Sequence, residues 1–396
     1  MVKNIVIFFL IVGASYSQPL SLKDLIDSAI VNNPEINAAK SKYESVLKRI
    51  TGLRYLPDPW FAVEFTDDMQ MYSISQEVLF PTKLMTRTRY ARAEAEEILS
   101  DYYLVVSNVI KQIKEGYARL YLIQKELEIM AQQKNVLEQI LTIANHNYRI
   151  NRVSQVDVIQ SQVALTKLEN DLLDLANEKI ILMAELNKLI NRPVDSKLEI
   201  NLKTLNEPSI PEPDSLYQLA KVHSPMLKSC KIREIKKKTD LSLSKQEYLP
   251  DFMLKYEWER MDLKNYKIML GMKVPLWFWQ KQNNMVAEME NEFKMAQAEY
   301  EAMLNEVLKM VKEKMLILEN YSRKIKLYEN SIIPQLESAL KSAMVAYEIN
   351  RVDIMTVLET QKMLLEENIA YQQARIDYAT TVFELEEITG TKFSQN

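Results

Sequence analysis

"NYRINRV" at positions 147–153 and "AYEINRV" at 346–352 are nearly the same word written twice. Each follows a long stretch whose apolar residues recur every three or four positions. In the first, Ile110, Ile113, Tyr117 and Leu120 line one side; in the second, Leu304, Leu308, Val311, Met315 and Leu318 do. Such spacing is the seam of a coiled coil. From Lys83 to Arg192 there is no proline and only one glycine, Gly116. Helices over about 83–147 and 278–347 would each be on the order of 100 Å long at 1.5 Å per residue. Asn151 and Asn350 occupy the same place in the two words, and Asn tolerates the left-handed turn conformation better than any residue but Gly. Amphipathic spacing then resumes over about 154–191 and 353–388. The two words therefore read as the tips, at 148–153 and 347–352, of two long helical hairpins.

The duplication extends outward from the tips. Leu25, Ala29, Val31 and Pro34 match Leu216, Ala220, Val222 and Pro225, and "YLPD" stands at both 55–58 and 248–251. Tyr72, Ile74 and Pro81 match Tyr266, Ile268 and Pro275, and beyond the tips Val158 and Gln162 match Val357 and Gln361. Matches that keep their order over a whole chain imply two copies of one unit. The first repeat covers 18–190 and the second 215–390, with a tail at 391–396. The stretch 191–214 between them is rich in proline and reads as a linker.

Within each unit two segments change period. Phe252, Leu254, Tyr256 and Trp258 alternate with Met253, Lys255, Glu257 and Glu259, and Tyr266, Ile268, Leu270, Met272 and Val274 alternate with Lys267, Met269, Gly271 and Lys273. The first unit repeats this more weakly around Phe61, Val63, Tyr72 and Ile74. Strict alternation predicts strands with one apolar and one wet face. They pair as β-hairpins at about 59–80 and 251–275. The fold class is mainly α with a small β part.

Composition narrows the function classes. The net charge of −4 gives no reason to expect nucleic acid as a partner, and five glycines among 396 residues argue against a loop-rich α/β enzyme. The opening "MVKNIVIFFLIVGASYSQ" has Lys3, an apolar run from Ile5 to Val12, and small residues at Ser15 and Ser17. It predicts a signal peptide at 1–17. A lone cysteine, Cys230, forms no intrachain disulfide and reads as a packing residue. His146 and His223 lack ligand-spaced companions, so neither a metal nor another cofactor is expected. The run "KIREIKKKTD" at 231–240 reads as a solvated helix face. No catalytic constellation stands out, and the chain is not expected to be an enzyme.

Strands of about ten residues suit a tilted crossing of a bilayer, but two hairpins leave open edges that hydrocarbon forbids. A closed barrel then needs several chains: two would supply eight strands and three would supply twelve. Trp60, Tyr72, Tyr266, Trp277, Phe278 and Trp279 at strand ends suit interfacial belts, and Glu64, Glu77, Lys255, Glu257 and Lys273 suit a wet lumen. The rival reading is a secreted, soluble coiled-coil scaffold whose small sheet packs on its helices.

The order "NPEI", "YLPDP", hairpin, "SQEVLFPTKL", long helix, tip and return helix, then the set again, resembles the TolC-like outer-membrane efflux protein family. The resemblance covers the whole mature chain. It implies a homotrimer with a twelve-stranded barrel in outer-membrane lipid, continued by a helical tunnel into the periplasm. It implies an exit duct of a tripartite system, with a periplasmic membrane-fusion adaptor and an inner-membrane transporter of the resistance-nodulation-division or ABC type as partners. Carried over by position, Tyr148, Asn151, Arg152, Val153, Tyr347, Asn350, Arg351 and Val352 become adaptor-docking tips. The family's usual Gly is Asn here. Asp157 and Glu359 become candidates for an acidic ring at the periplasmic gate; Thr356 stands where the second unit would repeat Asp157.

Overall fold

The computed structural model describes residues 20–52, 55–65, 70–200, 211–259 and 262–393. The signal segment expected at 1–17 lies outside these residues, as do parts of the two strand connections and of the linker. Helices α1 (Leu22–Asn32) and α2 (Pro34–Gly52) lead into strands β1 (Trp60–Phe65) and β2 (Gln70–Val78), then helices α3 (Pro81–Arg149) and α4 (Gln155–Leu189). The order recurs as α5 (Pro213–His223), α6 (Pro225–Gln246), β3 (Asp251–Glu259), β4 (Asp262–Lys273), α7 (Lys281–Leu327), α8 (Ile333–Glu348) and α9 (Ile354–Thr389).

The two rods differ. α3 runs unbroken for 69 residues. The rod expected over 278–347 starts at Lys281 and is interrupted by a π-helical turn, Tyr328–Ile332. Pro334 explains the interruption: it donates no N–H, and its ring would strike the carbonyl four residues back in a regular helix. A π turn shifts the ladder by one residue and absorbs the conflict.

Both tips close by the same backbone device. Asn151 has φ 57° and Asn350 φ 54°. Asn151 N–H donates to Tyr148 O and Arg152 N–H to Asn147 O, both at 2.9 Å; Asn350 and Arg351 repeat the pair to Tyr347 O and Ala346 O at 3.0 and 2.8 Å. This is a Schellman ending, which satisfies carbonyls that the last turn leaves free. Ser154 and Asp353 then cap the return helices through their side chains. Val153 and Val352 pack in the tip core with Val158 and Val357, four helical positions into each return helix. That staple sets the angle of re-entry.

The four strands form one antiparallel sheet in the order β1-β2-β3-β4. The second and third strands belong to different repeats, and their register pairs Tyr72 with Trp258, Ile74 with Tyr256 and Val78 with Phe252. β1 has 6 residues in the described part, fewer than the ten expected, and β4 has 12.

Each repeat carries its own core. Leu25, Ala29 and Ile36 pack on Val109, Ile113, Leu120, Leu182 and Leu186. Leu216, Ala220 and Leu227 pack in the same way on Val307, Val311, Leu318, Val382 and Leu385. A third core near the tips mixes both repeats: Leu137, Ile140 and Leu168 with Leu340, Tyr347, Val357 and Leu364. The start of the expected linker is packed, not free. Leu198 is buried, and Leu20 N–H donates to Glu199 O at 2.8 Å.

The return helices end against the short-helix corners. Asn33 Nδ2 donates to Leu189 O at 2.9 Å. In the second repeat, α9 ends at Gly390, with φ 66°, so close to the α5–α6 corner that a Cβ would lie 2.4 Å from His223 O. Gly390→Ala is therefore expected to cost about 1–3 kcal/mol through strain and displacement. Asn151→Ala and Asn350→Ala should each cost about 1–2 kcal/mol, and the matching Gly substitutions almost nothing. Thermal denaturation followed by circular dichroism checks this; equal Ala and Gly effects at the tips would remove the left-handed turn from the explanation.

Candidate functional site

Period-two alternation and the observed register together separate the sheet into two faces. Glu64, Glu77, Lys255, Glu257 and Lys273 all fall on one of them. Lys255 and Glu257, two residues apart on that face, form an ion pair. The opposite face carries Phe61, Tyr72, Trp258, Tyr256 and Tyr266, an aromatic row that crosses all four strands. Its neighbouring centroids lie 5.5–6.4 Å apart. Gln70 and Gln76 are polar exceptions on the apolar face, and Gln76 Nε2 donates to Pro57 O at 2.7 Å. A second aromatic group, Trp277, Phe278 and Trp279, stands exposed at the helical end of β4.

An ion pair holds the change from strand to helix. Lys83, at the start of α3, is 2 % exposed and its Nζ lies 2.9 Å from Asp251 Oδ2. The other Asp251 oxygen accepts Phe80 N–H at 3.2 Å. Because Asp251 opens β3, these bonds fasten the first repeat's helix to the second repeat's strand. The motif words "PTKL" and "YLPD" were legible in the sequence; their contact across repeats was not.

At the far end, the eight tip residues separate. Tyr148, Asn151, Arg152, Asn350 and Arg351 are exposed, and Val153 and Val352 are half-buried. Tyr347 departs from the expectation of a docking surface: it is 1 % exposed. Its hydroxyl donates to Asp157 Oδ2 at 3.1 Å, which joins the second hairpin to the first. Burial, then the facing Asp157 carboxylate, push the Tyr347 hydroxyl well above its ordinary pKa. It therefore stays a neutral donor throughout the physiological range. Tyr148, its counterpart in the first repeat, has no such role among the described residues.

Asp157 and Glu359 do not converge within the chain. Asp157 also accepts from the Ser154 hydroxyl at 3.1 Å and is held at the tip seam. Glu359 is exposed and lines a groove of about 550 Å³ between α4 and α9, with Gln160, Ile159, Val163, Met355 and Leu365. Helical geometry explains the split, since the residue in α4 that matches Glu359 is Gln160. Deeper in this region Gln361 Nε2 donates to Gln133 Oε1 at 3.3 Å, a buried polar link between α9 and α3.

The basic run 231–240 is not a free solvated face. Lys236 Nζ lies 2.6 Å from Glu97 Oε2, with Arg233 at 3.5 Å from the same carboxylate, and Lys237 lies 2.6 Å from Glu292. These pairs tie α6 to α3 and α7. Lys114 and Glu386 make a further pair at 2.8 Å between α3 and α9. Burial raises the Cys230 thiol pKa. Among the described residues no three His, Cys, Asp or Glu side chains gather as a metal site, and no helix is long and apolar enough to cross a membrane.

Comparison with known proteins adds three findings. Residues 216–391 match the family described as outer membrane efflux protein. Outer membrane protein TolC of Vibrio cholerae serotype O1 is 19% identical over 403 residues, covering 95% of this chain and 92% of the relative. Among solved structures, CusC, crystallised in work on folding and transmembrane channel formation, has a TM-score of 0.80 and 14% identity, with 96% of each chain covered. The outer membrane protein VceC from Vibrio cholerae has a TM-score of 0.79 and 15% identity, over 94% of this chain and 97% of the other. The second repeat thus matches the outer membrane efflux protein family, and over nearly its whole length the chain is similar to TolC.

Proposed function

We propose that this protein is the outer-membrane exit channel of a tripartite export system, with the sheet in the outer membrane and the helical hairpins in the periplasm. The observation that carries the reading is the sheet itself. It has two open edges, one apolar face bearing an aromatic row, and one charged face. Backbone groups at an open edge are not tolerated in hydrocarbon. Three copies of a four-stranded sheet close into a twelve-stranded barrel, within the even-numbered range of outer-membrane barrels. The apolar face then meets lipid, and Glu64, Glu77, Lys255, Glu257 and Lys273 line the water-filled bore.

The helices continue that bore. At 1.5 Å per residue α3 spans on the order of 100 Å, enough to carry a duct far below a bilayer. Tyr148, Asn151, Arg152, Asn350 and Arg351 are the exposed tip groups offered to a periplasmic adaptor, which in turn meets an inner-membrane pump of the resistance-nodulation-division or ABC type. Energy and cargo choice belong to that pump. The Tyr347–Asp157 bond latches the two hairpins of one protomer together and favours a narrow mouth. Glu359, repeated by threefold symmetry, contributes negative charge near that mouth and favours cations.

The purified protein in planar lipid bilayers is expected to give discrete conductance steps and to leave cells only with the outer-membrane fraction. Recovery in the soluble periplasm without detergent would favour the scaffold reading. Tyr347→Phe should raise the open conductance, because the only group it removes is the donor to Asp157. Because folding raises the Tyr347 pKa, the latch is complete below the ordinary tyrosine value of about 10 and is lost as pH rises through the folded value. Wild-type conductance should therefore be flat across neutral pH and rise only under strong alkali. Glu359→Gln should lower cation over anion selectivity; an unchanged reversal potential would remove Glu359 from the mouth.

A further inference from the structure

The word "YLPD" occurs twice, but only one copy has its aspartate bonded among the described residues. In the second, Asp251 accepts Phe80 N–H and pairs with Lys83, while Phe80 stacks on Phe252 at 6.3 Å. The matching stretch of the first repeat, Tyr55–Asp58, lies beside the open edge β1. Asp58 is exposed and has no hydrogen bond or ion pair among the described residues. The other half of the pattern is also left over. By the repeat, Val274 stands in the place of Phe80, Pro275 in that of Pro81, and Trp277 in that of Lys83. These residues follow the opposite open edge, β4. Trp277 is 67% exposed, whereas Lys83 is 2% exposed. Trp60, next to the unused "YLPD", is 72% exposed.

We propose that residues 274–279 of one copy receive the Tyr55–Trp60 segment of a second copy, with Asp58 beside Val274, as the internal seam receives Asp251 beside Phe80. The proposal rests on the trimeric reading above and names one of its contacts. Complementarity favours a second copy over lipid as occupant. The unused acidic word and the unused aromatic turn sit on opposite open edges, and each already has its mate's twin inside the chain. A barrel that closes β4 on the next β1 brings them together. The turn 274–279 also walls an apolar cleft of about 500 Å³ with Tyr248 and Pro250. The two kinds of seam then differ in chemistry. The seam within a chain is held by a buried ion pair. The seam between chains has an indole where the lysine would be, and gains stability from apolar and aromatic burial.

The test uses the full-length protein in detergent with Cys230→Ser as background. Asp58→Cys and Val274→Cys are placed in one chain, and mild oxidation follows. A disulfide forms only where the two Cα atoms come within about 7 Å, so the expected result is a denaturant-resistant ladder of dimer and trimer. Each single-cysteine variant should give no trimer. Light scattering of the unoxidised double variant reports the copy number independently. A three-copy particle with no ladder overturns this seam and leaves the trimer standing; quenching of tryptophan fluorescence by brominated lipid, lost in Trp277→Phe, would then assign the turn to the membrane. A single-copy particle overturns the assembly itself. A second variant separates chemistry from proximity. Trp277→Ala should lower the temperature at which the particle dissociates. Trp277→Lys, which copies the internal seam, should recover part of the loss, and the recovery should vanish in Asp58→Asn. An unchanged dissociation temperature in Trp277→Ala would overturn the aromatic role.

Discussion

One backbone ladder, β2 against β3, governs the arrangement of everything else. It joins strands from different repeats, so the two units stand side by side and not end to end. With the repeats side by side, α3 meets α6 and α9 along its length, and both tips arrive at the same level. The same ladder leaves β1 and β4 as edges. An unpaired edge is a demand for another strand. The Lys83–Asp251 pair sits at the foot of this ladder and ensures that each strand passes into its helix at a defined point. A buried pair of this kind contributes little net stability, yet removing one partner leaves an uncompensated charge. Its role is therefore alignment more than strength.

The repeats are alike in order but unequal in detail. The first rod is continuous, while the second carries a π turn at Tyr328–Ile332 beside Pro334. The first tip exposes its tyrosine, while the second buries Tyr347 against Asp157. The hydrogen bond between the buried Tyr347 and Asp157 is a single contact worth about 1–3 kcal/mol at most.

Much of the architecture was legible because regular spacing is a local property. Alternation at Phe252–Trp258 and three-four spacing around Val311 each report one element's own face, and Asn at 151 and 350 reports its own backbone angle. Single-residue effects inside a long helix were harder to see. Pro334 sits within otherwise helical spacing, and only the register shift of the π turn shows how the chain accommodates it. The basic run 231–240 looked solvated because its partners, Glu97 and Glu292, are distant in sequence. Likewise Asp157 and Glu359 were candidates for one acidic ring, although they stand one turn apart in the repeat and meet different neighbours.

By itself the sequence determined two repeats, their helices and strands, the reversals at both tips, and a sheet with one apolar and one charged face. These follow from periodicity and from conformational limits on Asn, Gly and Pro, which act over a few residues. Only the tertiary structure decided which strand pairs across the repeats, that Lys83 finds Asp251, that Tyr347 turns inward to Asp157, and that Asp58 and Trp277 are left unmatched. Those outcomes depend on groups separated by more than a hundred residues, and no local pattern encodes which of two identical words will be used.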